Sequence, residues 1–244
     1  MIINKLLKII TLALGVAYVT VQAMELEHIG LGLSSLALIL ILILYYRVVK
    51  EKKKFFFAFL VCFTVSHISG FISYFFILDY NDIDYMYYIG NLLYILSYAF
   101  LIFQILYPLN FRTIISKFAV SIFILLVLDI FAVTLVTETA QSALEISEYV
   151  MEFFYNAVIM VLLSVALINY MYRDDNKSML FLVGSIFIFF SEIIMLADFY
   201  IAQSQYLSAT YSAFLVMAFL FLYLQSRLQH TGPVEEYVEE GISA

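Results

Sequence analysis

Four ionisable side chains stand out at depth within runs of apolar residues: His67, Asp129, Glu192 and Asp198. An ionisable group in hydrocarbon costs about 2.5–3.5 kcal/mol on insertion scales, so it is expected to face a bundle interior and to mark function. No Lys or Arg accompanies these groups in the membrane interior. A carboxyl group without a fixed cation suits proton donation better than ion pairing, and Glu192 is the candidate donor. The alternative, polar groups pairing as interhelical glue, stays open.

Helical spacing groups further residues with them. Gly184, Ser185, Ile188, Ser191, Glu192, Met195 and Asp198 form one stripe against a remainder of Phe, Ile and Leu. Ser66, Ser69, Gly70 and Ser73 lie beside His67, and Tyr87, Asn91, Tyr94 and Tyr98 share a face. Glu148, Glu152 and Asn156 form an i, i+4, i+8 line. One reading is a polar cavity between helices 3, 4, 6 and 7, open toward the outer half of the bilayer. The other is ordinary packing, because small residues at this spacing let helices approach. Asp129 has only apolar helical neighbours: Leu125, Leu126, Ala132 and Val133.

Eight apolar runs carry these groups, at about 6–24, 29–46, 55–78, 86–107, 118–137, 149–172, 179–200 and 206–226. Each can cross a hydrocarbon core of ~30 Å as a helix. The expected fold is an all-α, polytopic bundle of eight transmembrane helices spanning 1–228, with an acidic tail over 229–244. The positive charges fall at the N-terminus, in the even loops or after the last run: Lys5 and Lys8, Arg47, Lys50, Lys52, Lys53 and Lys54, Arg112 and Lys117, Arg173 and Lys177, and Arg227. The odd loops carry acids: Glu25 and Glu27, Asp79, Asp82 and Asp84, Glu138, Glu145 and Glu148. Short loops bearing Lys and Arg stay cytoplasmic, which predicts both termini inside. By this count His67, Asp129 and Glu192 lie near the midplane and Asp198 near the outer surface. The first run could instead be a signal peptide ending at Val21-Gln22-Ala23. The charge alternation holds when it is kept as a helix.

With 65% hydrophobic and 13% charged residues, the chain is too apolar for a soluble domain. The Lys50–Lys54 cluster reads as a topology determinant near anionic headgroups, so no nucleic-acid partner is expected. One cysteine, Cys62, excludes an intrachain disulfide. The three histidines are far apart, and no metal, phosphate-loop or nucleophile-elbow motif is present, so no cofactor is expected. Pro108 and Pro233 fall outside the runs, which weighs against the broken helices of transporters. Glu235, Glu236, Glu239 and Glu240 make the tail a solvated segment or a docking segment.

A weak internal echo relates helices 3–4 to helices 7–8. Ser66-His67-Ile68 matches Ser191-Glu192-Ile193, and Ala99-Phe100-Leu101-Ile102 matches Ala213-Phe214-Leu215-Val216. The segment Val183–Tyr200, through Gly184, Phe189, Ser191 and Glu192, resembles the seventh helix of the YhhN-type lysoplasmalogenase-like membrane protein family, with Glu in place of Asp. Helix 4 is similar to that family's Gly-x-x-x-aromatic-x-x-x-His helix through Gly90, Tyr94 and Tyr98, where Tyr98 replaces His. The family's Gly-Asp pair would fall on Ser66-His67, so that Asp is replaced by His.

The resemblance implies eight helices, a bacterial inner membrane, and hydrolysis of the vinyl ether bond of a lysophospholipid. That reaction needs an acid to protonate the enol-ether carbon and a group to activate water at the resulting oxocarbenium. On the resemblance, Glu192 and His67 would be the catalytic pair. Ser66, Asn91, Tyr94, Tyr98, Asp129, Ser191 and Asp198 would bind or support. The departures equally suit a non-enzymatic lipid-binding, sensory or scaffolding protein. In either case the expected partner is a membrane lipid, a lysophospholipid or similar amphiphile.

Overall fold

A computed structural model describes residues 2–76 and 84–231. It contains eight helices: α1 (Ile2–Gln22), α2 (Glu27–Val48), α3 (Lys54–Ser73), α4 (Tyr85–Leu106), α5 (Phe111–Ala140), α6 (Ile146–Arg173), α7 (Asn176–Tyr200) and α8 (Gln205–Ser226). All eight are long and apolar enough to cross a membrane, which fits an integral membrane protein. Helices are the form such runs must take, because hydrocarbon offers no partner for an exposed backbone N–H or C=O.

Polar residues at the run ends set the helix boundaries. Asp84 accepts from the Tyr87 N–H and starts α4, and Asn110 accepts from the Thr113 N–H and starts α5. Glu145 with Glu148, and Asp175 with Ser178, form reciprocal capping boxes at α6 and α7. Asp174, in the left-handed conformation at φ 46°, ends α6 one residue before Asp175 begins the next cap. Two antiparallel helices are thereby joined with almost no loop.

The expected end of helix 3 near 78, Asp79 and Asp82 lie outside the described residues. So do Pro233 and the tail glutamates Glu235, Glu236, Glu239 and Glu240. The fifth helix is longer than its apolar run. It begins at Phe111 and passes through a kink at Phe118 (φ −120°, ψ 22°), the residue at which the apolar run starts.

Seven helices close a ring in the order α1, α2, α3, α4, α6, α7, α8 and back to α1, while α5 packs outside it on α6 and touches α7. On α5, Phe123, Ile124, Leu126, Val127, Leu128, Ile130 and Phe131 therefore face outward, apolar to suit acyl chains. Inside the ring Phe59 of α3 stacks on Phe219 of α8 at 5.7 Å, and Phe63 meets both Phe219 and Tyr98. Apolar burial drives little association within lipid, so close approach matters more. At Gly184 a Cβ would come within 3.1 Å of Leu222 and 3.4 Å of the Ala218 carbonyl, which is why α7 and α8 pack tightly there.

The positive charges gather at one end of the bundle. At that end Arg47 Nε donates to Asn4 Oδ1 (3.3 Å), Gln229 Nε2 to Glu51 Oε1 (2.8 Å), and Lys177 Nζ to the Leu228 carbonyl (2.9 Å). The first and last described residues share this basic end. The α1–α2, α5–α6 and α7–α8 connections lie at the opposite, acidic end.

Candidate functional site

The α7 stripe faces inward: Gly184, Ser185, Ile188, Ser191, Glu192 and Asp198 are all buried. Glu192 lies closer to Tyr200 than to Asn176, in the acidic half of the bundle. Its two carboxyl oxygens accept from separate phenols. Tyr98 of α4 donates to Oε1 at 2.5 Å, and Tyr155 of α6 donates to Oε2 at 2.7 Å. Three helices are therefore tied through one side chain that has no cation beside it.

His67 is also buried, but its partner is different. Its Nδ1 lies 3.1 Å from Ser34 Oγ of α2, while the Ser34 hydroxyl is within bonding distance of the Leu31 carbonyl. The single hydroxyl hydrogen of Ser34 therefore serves one of two neighbours, the Leu31 carbonyl or Nδ1. The ring packs on Phe63 and sits edge-on to Tyr94 at 5.6 Å. Tyr94 in turn meets Tyr155 edge-on at 6.2 Å. His67 and Glu192 thus belong to one aromatic cluster, separated by a layer of tyrosine rings.

The residues preceding them play matching roles. Ser66 Oγ donates to the Gly90 carbonyl of α4, and Ser191 Oγ donates to the Tyr211 carbonyl of α8, each at 2.8 Å. The sequence echo thus has a geometric counterpart: each serine clamps its own helix to the next. Asn91 donates to the Tyr87 carbonyl of its own helix. Asp129, half-buried, accepts from Ser164 Oγ at 2.8 Å and joins α5 to α6. Asp198 accepts from the Ser204 N–H (2.8 Å) and Ser208 Oγ (2.6 Å), closing the α7–α8 turn.

The void touching Glu192 is about 10 Å³, bounded by Val133, Asn156, Met160 and Phe189 of α5, α6 and α7. That is room for about one water. Asn156 Nδ2 bridges Thr137 Oγ1 and Glu152 Oε1, each at 3.3 Å, so a polar ladder descends from the acidic end toward this void. No group of three or more His, Cys, Asp or Glu residues converges on a metal-sized site among the described residues.

A larger space lies elsewhere. Helices α1, α2 and α8 enclose a groove of about 260 Å³ with walls that include Leu38, Val216 and Phe219. Lys8 and Arg227 line it toward the basic end, and Tyr18 and Ser34 line it toward the acidic end. The Tyr223 hydroxyl beside it is buried with no hydrogen-bond partner among the described residues. Because Ser34 also contacts His67, the groove reaches the wall of the aromatic cluster.

Sequence reasoning singled out Tyr98 and Glu192 but not Tyr155, Tyr18 or Ser34. The available signal was depth: Tyr18 and Tyr155 sit well inside their apolar runs, where the interfacial preference of tyrosine does not place them. No family model, curated protein or solved structure matches this chain.

Proposed function

We propose that this protein binds a single-chain amphiphile with a phosphate headgroup, of the lysophospholipid class, in the groove between α1, α2 and α8. The observation that carries this reading is the polarity of the groove: apolar walls for an acyl chain, with Lys8 and Arg227 at one end for the phosphate. In this reading the basic end faces the cytoplasm of a bacterial inner membrane, because short Lys- and Arg-bearing loops translocate poorly.

Binding leads over hydrolysis for a reason of distance. An ether at the glycerol backbone stays close to the headgroup. Lys8 precedes Tyr18 by about three helical turns, on the order of 15 Å. A lipid anchored at Lys8 and Arg227 thus brings its chain, rather than its ether bond, to Ser34 and His67.

The test is thermal unfolding of the purified chain, read with a thiol dye on Cys62. Lysophosphatidate should raise Tm, and a monoacylglycerol of the same chain length should do so far less. Lys8→Gln with Arg227→Gln should erase the difference, and Leu38→Trp, which fills the groove, should erase both shifts. Equal shifts from the two lipids, unchanged in these variants, would sink the reading.

A second reading, hydrolysis of a lysophospholipid vinyl ether, is favoured by one observation: a buried glutamate held by two phenols without a cation. It requires lysoplasmenyl lipid to release fatty aldehyde, with Glu192→Gln and His67→Ala inactive. No release above a detergent blank removes it. Turnover unchanged in both variants removes the site assignment.

A further inference from the structure

We propose that the basic end of the bundle holds a second site, a cavity that binds a phosphate-bearing anion. The cavity measures about 610 Å³, within the ~300–1,000 Å³ range of small-molecule sites. Lys52 and Lys53 reach it from the α2–α3 loop, Lys54 from the start of α3, Arg173 from the end of α6 and Lys177 from the start of α7. His230, beyond α8, also borders it, and among the described residues no acidic side chain does. None of its residues lines the groove described above.

A topology signal does not account for this arrangement. Keeping loops on one side of a membrane requires only that they carry cations. It does not require that cations from several separate elements surround one space. Arg112 and Lys117 belong to the same basic end and line neither the cavity nor the groove. Like charges so gathered repel one another, and more strongly where protein displaces water.

Few carboxylates answer them. Among the described residues Lys53 pairs with Glu51 at 4.0 Å, and Asp175 is taken up by the His230 imidazole at 2.7 Å. Lys52, Lys54, Arg173 and Lys177 meet no carboxylate within 4.0 Å among those residues. Buried polar groups add donors: Asn169 and Gln225 are each less than a tenth exposed and border the cavity. Arg173 spends only Nε on Asn169, at 3.2 Å, leaving the N–H groups of its two terminal nitrogens. Planar guanidinium donors flanked by ammonium groups suit the charged oxygens of a phosphate better than the uncharged hydroxyls of a neutral sugar. Phe55, Ile105 and Tyr107 give the same cavity an apolar side. That chemistry serves a soluble phosphorylated compound or the phosphomonoester headgroup of a lipid.

The experiment uses the full chain in two arms. Calorimetry in detergent with inorganic pyrophosphate tests a soluble ligand; Tm in nanodiscs of phosphatidylcholine with and without phosphatidate tests a headgroup. The site predicts one saturable event in at least one arm, weakened about tenfold or more by Arg173→Gln, by Lys177→Gln and by the exposed Lys54→Gln. Arg112→Gln with Lys117→Gln should leave it intact. Lys54→Gln keeps the test decisive if the Arg173 or the Lys177 variant fails to fold. The proposal falls if neither probe binds, or if the Arg112 and Lys117 variant weakens binding equally. It also falls if binding emerges only when Glu235, Glu236, Glu239 and Glu240 are replaced by glutamine, since the tail would then be the occupant.

Discussion

At Glu192 two phenol hydroxyls from different helices meet one carboxyl group, with Tyr98 and Tyr155 both buried around it. A buried acceptor that loses its donor keeps its desolvation penalty without compensation, so the loss is larger than the net worth of the bond. Tyr98→Phe and Tyr155→Phe should each lower stability by about 1–3 kcal/mol, measured by denaturation in detergent. Combining Tyr98→Phe with Glu192→Leu should cost less than the sum of the two, because the leucine removes the orphaned group. Additive losses in that double-mutant cycle would mean that the bond carries no coupling. Glu192 and His67 stood out in the sequence because ionisable groups are rare in hydrocarbon. Tyr155 and Ser34 did not, because a chain with 20 tyrosines uses that residue for belts and packing as well. Which role a given phenol plays depends on the helix it faces, and helix adjacency is a property of the assembled ring.

Between elements the connections are held by local polar bonds, and the α6–α7–α8 junction shows their pH sense. Burial raises the Asp175 carboxyl, but the Ser178 N–H and hydroxyl and the His230 imidazole outweigh it and hold the carboxyl below its usual range. Burial lowers the His230 imidazole, and nearby Arg173 and Lys177 push the same way. Asp175 only partly opposes them, leaving His230 below its ordinary 6.5. Both groups are depressed in the folded protein, so both contribute stability at neutral pH that is lost on acidification. His230 accounts for the loss that begins as pH falls through about 6.5, and Asp175 for the loss below its ordinary 3.8. His230→Gln should flatten the decline in Tm between about pH 7 and pH 5. An unchanged slope would exclude the imidazole as its source. Asp175→Ala, which removes the α7 cap, should cost about 1 kcal/mol at neutral pH. Helix number was legible in the sequence because hydrophobic runs report membrane thickness directly. The true start of α5 was not: the segment from Phe111 to Lys117 is polar enough to leave the run, yet Asn110 caps it and Phe118 bends it into continuity.

At the scale of the molecule, the ring order sets where ligands can go. Because α5 stands outside and α4 packs directly on α6, the polar faces of α4, α6 and α7 meet one another instead of enclosing a lipid-sized cavity. The space instead opens between α1, α2 and α8, where the sequence holds few polar residues, and so it could not be read from charge or motif. The basic end was legible in the sequence, since which loops carry Lys and Arg follows insertion, but the cavity they surround there was not. Its orientation has a direct test in cells. In a Cys62→Ser background, Ala143→Cys at the acidic end and Thr231→Cys at the basic end introduce single thiols without altering any charge. Both positions are exposed. A membrane-impermeant maleimide should label Ala143→Cys in intact cells and Thr231→Cys only after the membrane is opened. The reverse pattern would place the basic end outside, and with it the Lys8–Arg227 end of the groove and the Arg173–Lys177 cavity. Both would then face ligands supplied from the exterior, and neither could draw on cytoplasmic phosphate compounds or inner-leaflet headgroups. Orientation therefore decides which pool of anions the two sites can sample.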